Sequence, residues 1–346
     1  MPETRPIVLF GGDGNEHRVS VASARNVAGI LTEATLWYWT RAGVIQSVRH
    51  GDLARLSRPF EHDFHPDVLE EWRDLEAALE GNNLSSTVLF LALHGGSGEN
   101  GTVQESLEAR GVAFTGSGAE ASRLCFDKSR ARQVVAGRGI RVAEAMLFET
   151  ASDQALSSFL RRTGKLVFKP VADGSSYGLW FVADERQLGD AVRAIRGSAT
   201  PYLVESFVEG REITVGVCER KGELVALPCS EVRLAPGRTF DFEGKYLGKG
   251  SEEITPAELT PATAQAAQRV AKEAHEATGC RGYSRTDVIL SNDGPFFLEI
   301  NTLPGLTRAS FIPQQLEAAG IPMRSFIEEQ LSIARTRARM RTAFKS

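Results

Sequence analysis

The clearest features of the chain are short blocks of apolar residues that run into glycines. PIVLF at 6–10 leads into Gly11-Gly12, and STVLFLAL at 86–93 leads into His94-Gly95-Gly96. Unbroken apolar runs of this length predict strands buried on both faces. Between them, the residues from about 19 to 42 read as helix. Strands separated by helices, each closing on a glycine loop, predict an open α/β sheet with ligands at the carboxyl ends of its strands.

The pattern changes near residue 120. Residues 128–139 read as a basic helix. KLVFKP at 165–170, a glycine loop and GLWFV at 178–182 read as a hairpin, and 202–208 as another strand. Runs at 213–217 and 224–228 continue in antiparallel style. Residues 261–277 form an alanine-rich helix, and 323–334 a last helix with a basic end. Arg335, Arg337, Arg339 and Arg341 there are most simply solvated cations near a helix C-terminus.

A second hairpin carries unusual polarity. YSRTDVIL at 283–290 and PFFLEIN at 295–301 flank the turn signal SNDG. Centred near Asp293, the hairpin sets Asp287 opposite Glu299 and Arg285 opposite Asn301. Side chains two apart share a face, so these four converge, and Val288, Leu290, Leu298 and Ile300 turn the other way. Opposed carboxylates repel unless a cation lies between them. Two readings stand open: a Mg²⁺ ion completed by water and phosphate oxygens, or an Arg285–Asp287–Glu299 salt-bridge cluster.

Composition narrows the class. The 346 residues, 42% hydrophobic and 24% charged, are ordinary for a globular protein of two to three domains. A net charge of -4 argues against a dedicated nucleic-acid binder. Cys125, Cys218, Cys229 and Cys280 form no C-x-x-C pair, so reduced buried thiols in a cytosolic protein are expected rather than a zinc or redox site. The first residues lack a signal-peptide pattern. No apolar run reaches the ~18 residues of a membrane span.

If Mg²⁺ carries phosphates, amides and lysines should accompany it. Residues 173–178, DGSSYG, form a polar glycine loop whose N–H groups could wrap a polyphosphate. Lys169 precedes it and Lys128 is a second cation, but no Walker signature closes the loop. Residues 116–121, GSGAEA, resemble part of a dinucleotide fingerprint, although an ordinary loop before a helix is the simpler reading. Glu205 and Glu212 flank Phe207-Val208, and suit either a nucleoside contact or plain solvation. FDFEGKY at 240–246 reads as a lid or as a surface loop. His94 at a strand end is most simply structural, and Glu16 a helix N-terminal acid favoured by the dipole.

Taken together, GGDGNEHRVS, LHGGSGENGTVQ, FTGSG, Asp127-Lys128, KPVADGSSYG, ESFVEGRE, FDFEGKY, SRTD and EINTLPGLTRASFIP resemble the D-alanine–D-alanine ligase family of the ATP-grasp superfamily, colinearly from Gly11 to Pro313. The resemblance implies an α/β (α+β ATP-grasp) chain. Its parts would be an N-terminal open parallel domain at 1–121, a central ATP-grasp subdomain at 122–204 and a C-terminal one with the metal site at 205–346. ATP would lie between the last two. Lys128, Lys169 and Lys245 would touch its phosphates, under a loop holding Gly174 and Ser176. Glu205, Phe207, Val208 and Glu212 would hold the nucleoside. Asp287, Glu299 and Asn301 would bind two Mg²⁺ ions, with Mn²⁺ an alternative.

The implied reaction joins two D-alanines through an acyl phosphate, for peptidoglycan synthesis and cell shape. Glu16, Ser175 and Tyr246 would position the first D-alanine, with His94 near its carboxylate. Arg285 and the Gly305 amide would face the tetrahedral oxygen, and Ser310 and Phe311 the second carboxylate. Departures from the family pattern include Asn100 for aspartate, Asp173 for glutamate, Tyr177 for a small aliphatic residue, and Phe240, Phe242 and Gly244. Tyr246 is kept, which implies an amino-acid acceptor over D-lactate. The resemblance also implies small-molecule substrates, a cytoplasmic setting and a homodimer, with no nucleic acid or membrane. Relatives joining other amino or hydroxy acids, and a non-catalytic ATP-binding module, are the alternatives.

Overall fold

The computed structural model describes residues 5–172, 178–234 and 251–343. Its backbone forms three sheets that follow one another along the chain. The first contains β1 (Ile7–Gly11), β2 (Thr35–Trp39), β3 (Ile45–Val48), β4 (Val68–Trp72), β5 (Val88–Leu91) and β6 (Ala113–Phe114), ordered β4-β3-β2-β1-β5-β6. β2, β1, β5 and β6 run parallel, and β3 and β4 add an antiparallel edge. β1 and β5 are buried throughout, as unbroken apolar runs require.

One expected helix is shorter than its pattern. Helix His17–Ile30 stops at Leu31, and Leu-Trp-Tyr-Trp becomes β2, paired with β1 from Ile7↔Thr35 to Gly11↔Trp39. The large aromatics gain more from burial within a sheet than from continuing a helix past the core.

The second sheet, β7 (Ala145–Leu147), β8 (Leu166–Pro170), β9 (Trp180–Val182) and β10 (Tyr202–Ser206), is antiparallel in the order β7-β10-β8-β9. The third comprises β11 (Arg211–Arg220), β12 (Glu223–Ala226), β13 (Ser230–Leu234), β14 (Ser251–Ile254), β15 (Tyr283–Ser291) and β16 (Gly294–Asn301). Its order is β14-β13-β11-β15-β16, with β12 on β11. Helix Pro261–Ala277 starts with Thr260, whose hydroxyl accepts from the Thr263 amide, and Pro261 in the first turn.

The chain then returns to its beginning. Leu303, Leu306, Ile312 and Leu316, with Phe326, Ile327 and Leu331 of helix Met323–Ala343, join the core cluster of the first sheet. The basic end of that helix is not simply solvated. Arg337 donates to the carbonyls of Gly116 and Phe114 at 2.8 and 3.0 Å. This return brings the segment after β16 against the first sheet.

Candidate active site

The β15–β16 pairing sets Asp287 opposite Glu299 and Arg285 opposite Asn301, the expected register. A bulge follows between Asp287 and Val288, so Val288 meets Phe297. Phe297 is therefore buried with Ile300, while Leu298, expected on the core face, is only half-buried. An extra residue on one strand exchanges the faces beyond it. The polar end is untouched because the bulge lies on the turn side of Asp287.

Arg285 grips Asp287 through both oxygens, Nε to Oδ1 at 3.0 Å and Nη2 to Oδ2 at 2.7 Å. The Thr214 hydroxyl adds a third bond to Asp287, at 2.8 Å. Glu299 lies 3.4 Å from Lys128 Nζ and 3.9 Å from Arg285 Nη2. Both cations compensate the carboxylate pair, so the salt-bridge arrangement is present. The Asp127 side chain accepts from the Arg130 amide at 2.9 Å, caps helix Lys128–Ala136 and fixes Lys128 in its first turn. Among the described residues the buried amide nitrogen of Asn301 has no hydrogen-bond partner.

A second charged group lies on the central sheet. Buried Lys169 pairs with Glu205 at 2.7 Å, and Arg132 reaches the other Glu205 oxygen at 3.4 Å. The Lys169–Glu205 contact is an ion pair without hydrogen-bond alignment, so among the described residues the N–H groups of Lys169 have no hydrogen-bond partner. Phe207 is exposed, with its ring 6.3 Å from that of Phe181, and Val208 beside it is half-buried. Glu212 sits at the start of β11, opposite Ile289.

The third group joins the first sheet to the end of the chain. Glu16 ends the glycine loop at the N-terminus of helix His17–Ile30. Gly95, at φ +63°, lies so close that an added Cβ would stand 2.9 Å from Glu16 Oε2. His94 is buried, with Nε2 2.8 Å from the Ser23 hydroxyl and Nδ1 2.7 Å from the Leu303 carbonyl. Burial lowers its pKa, so the neutral ring bridges the sheet and the 303–306 turn. Ser23 also accepts from the Leu306 amide at 3.0 Å.

Glu99 was missed in the sequence. Its Oε1 accepts from the Thr302 and Leu303 amides at 3.0 and 3.1 Å, and its Oε2 from Gly95 at 3.1 Å. Burial, then the charge of Glu16, raises this carboxyl to about 7. Asn100 beside it bonds only locally, accepting from the Thr102 amide at 3.0 Å.

Arg285 and Asp287 of the hairpin, with Gly305, Thr307, Ser310 and Phe311, line a cleft of about 60 Å³. Gly305 has no room for a side chain, since a Cβ would come within 2.6 Å of Ser310 Oγ. Ser310 stands at the N-cap position of helix Phe311–Ala318, its hydroxyl turned to Thr307, and the first amides of that helix form a ready anion site. Gly174, Ser175, Ser176, Lys245 and Tyr246, with Asp173, Tyr177, Phe240, Phe242 and Gly244, lie outside the described residues.

Comparison with known proteins matches residues 5–117 to the model of the D-ala D-ala ligase N-terminus and 135–332 to that of its C-terminus. The chain belongs to the D-alanine–D-alanine ligase family. Among curated members of that family, the D-alanine–D-alanine ligase of Leptospira interrogans is 35% identical over 350 residues, covering 96% of this chain and 98% of the relative. Among solved structures, the VanG D-Ala:D-Ser ligase of Enterococcus faecalis is 27% identical, with a TM-score of 0.79 over 96% of this chain and 99% of that one. The Bacillus anthracis family member complexed with ATP shares the fold, at 23% identity and a TM-score of 0.74, over 99% of this chain and all of that one. The family's ATP-grasp ligase architecture is thus that of this chain. Among the described residues no helix is long and apolar enough to cross a membrane, and the four cysteines are free and buried.

Proposed function

We propose that the chain joins two D-alanines to D-alanyl-D-alanine at the expense of ATP, for peptidoglycan synthesis. The observation that carries this reading is the meeting of the facing Asp287–Glu299 pair with Lys128 and Arg285, beside a cleft lined by Arg285, Asp287, Gly305 and Ser310, in a chain of the ligase family. In the first step a carboxylate oxygen of the first D-alanine attacks the γ-phosphorus, and ADP leaves. In the second, the amine of the second D-alanine attacks the acyl carbon, and phosphate leaves.

Each residue has a task in this reading. Lys128 and Lys169 hold phosphate oxygens, Lys169 through N–H groups that make no hydrogen bond among the described residues. Glu205, Phe207, Val208 and Glu212 hold the nucleoside. Glu16 takes the ammonium of the first D-alanine, and His94 fixes the wall near its carboxylate. Arg285 and the Gly305 amide donate to the tetrahedral oxygen. Ser310 and the amide of Phe311 take the second carboxylate. Gly174, Ser175, Ser176, Lys245 and Tyr246 complete the proposed set.

Magnesium fits the donors present. Asp287, Glu299 and Asn301 offer hard oxygens, too few for a closed cage, which suits an ion that retains water and phosphate oxygens. Among the described residues the buried Asn301 amide nitrogen makes no hydrogen bond, and turning the amide over would present its oxygen to the ion. When bound, Mg²⁺ (or Mn²⁺) would neutralise charge on the transferring phosphoryl group. The proposed units are 1–121, 122–204 and 205–346, although the boundary at 204 falls inside β10 (Tyr202–Ser206) of the second sheet. A cytoplasmic homodimer completes the reading, consistent with unlinked buried cysteines.

Incubation with D-alanine, ATP and Mg²⁺, followed by product identification, tests the reading. Dialanine formed in step with ADP is expected. ADP release that needs another acceptor, with no dialanine, overturns it in favour of a second reading, ligation to a different acid. Likeness to the D-Ala:D-Ser ligase favours that second reading.

A further inference from the structure

The cleft has one wall that belongs neither to the hairpin nor to the helix beyond it. Phe60, in the segment 56–67 between helix His50–Arg55 and β4, lines the same cavity as Gly305, Ser310 and Phe311. The segment is held in place by side chains. Arg18 donates from Nη1 to the Phe60 carbonyl at 3.3 Å and from Nε to Asp63 at 3.0 Å. Phe64 is buried, with its ring 5.0 Å from that of Tyr38 and 5.9 Å from that of Phe10. Arg18 lies in the first turn of the helix that follows Glu16, so the wall is tied to that helix.

The chemistry of the lining divides the space. Arg285 and the Gly305 amide are donors for a reacting carbonyl oxygen, and Ser310 with the helix N-terminus is a carboxylate site. An amino acid anchored there by its carboxylate, with its amine at the reacting carbon, has only its side chain left to place. The apolar lining beside the Ser310 site is Phe60, Pro304, Ala309, Phe311 and Ile312, and of these only Phe60 comes from outside the chain segment 304–312. We propose that Phe60 is a specificity-determining residue for the acceptor, its ring limiting the acceptor side chain to about the size of a methyl group. This rests on the ligase reading above and adds a residue from the segment before β4 to the acceptor site.

The test is the acceptor profile of the full chain. With D-alanine, D-2-aminobutyrate and D-norvaline as acceptors, kcat/KM is measured for wild type, Phe60→Leu and Phe60→Ala, and the residue order of each dipeptide is read by mass spectrometry. One methylene in an apolar pocket discriminates by roughly tenfold or more. Phe60→Ala should therefore raise kcat/KM for the larger acceptors relative to D-alanine by at least about tenfold, with Phe60→Leu between. A loss of folded protein lowers every rate alike and leaves these ratios unchanged, and Phe60→Leu covers the case in which the alanine variant does not fold. Ratios within about twofold of wild type in a folded variant overturn the proposal, as does a widened choice at the first position of the dipeptide instead of the second. Failure of the wild type to make dialanine overturns the ligase reading, a result separate from either of these.

Discussion

Glu299 faces two cations at once, Lys128 and Arg285, and stands opposite a second carboxylate that Arg285 also holds. Removing its charge leaves the backbone pairing of β15 and β16 unchanged but takes away one of the oxygens proposed for magnesium. Glu299→Gln should lower ADP release by about 10²–10³-fold, on the scale of losing one electrostatic stabiliser, with an unchanged circular-dichroism melt. Near-normal turnover in that variant would count against the metal assignment. Glu99 makes a different prediction at the same scale. Its carboxyl is raised from 4.5 to about 7 by burial and then by Glu16, against the pull of its backbone donors. Between those values the folded chain retains a proton that the unfolded chain has released. The stability from this group is complete below the unfolded value and is lost as pH rises through about 7. The span corresponds to about 3 kcal/mol. Glu99→Gln cannot titrate, so in urea melts its stability relative to wild type should rise by roughly that amount from acid to neutral pH. A pH-independent difference between the two would refute the shift.

At the scale of elements, helix Phe311–Ala318 is positioned by Gln315. That side chain, fully buried, accepts from the Gly216 amide at 2.8 Å and donates to the Thr214 carbonyl and the Ser230 hydroxyl at 2.9 Å each. It locks the helix that begins with Phe311 onto β11, where Thr214 also holds Asp287. Gln315→Ala strands two buried backbone groups, which costs about 1–3 kcal/mol. It should also raise KM for the second D-alanine more than for the first, measured by steady-state titration of each site. Equal changes at both sites would show that the helix does not set the acceptor site. The same scale shows what the chain reveals in advance. The β15–β16 register was legible because a strong turn and two apolar runs fix it. The bulge beyond Asp287 was not, since period-2 patterning carries no signal for an extra residue. The helix expected to about residue 42 ended at Ile30 because β2 is selected by partners on β1, which lie far away in sequence.

Across the whole molecule, the cleft is assembled from the third sheet, the segment that follows it and the 56–67 segment before β4. The family motifs indicated which residues meet, and the hairpin acids, Lys128 and Ser310 could be named in advance. What could not be read was the scaffold between them. Glu99 reaches amides at 302 and 303, and His94 reaches Leu303, contacts more than two hundred residues apart that leave no periodic trace. Phe60 likewise sits in a segment without regular pattern. Because these supports join separate sheets, filling the nucleotide site should stabilise the chain as a unit. A nonhydrolysable ATP analogue with Mg²⁺ at a hundred times its Kd should add about 2.7 kcal/mol. For a chain of this size that is a rise in Tm of about 3–6 °C. The rise should shrink with EDTA and in Glu299→Gln, because the phosphates would then face Asp287 and its neighbour without a bridging cation. An equal rise with and without the metal, by calorimetry, would mean that nucleotide binding does not use the facing carboxylates, and the hairpin would have to be read as a structural ion-pair cluster alone.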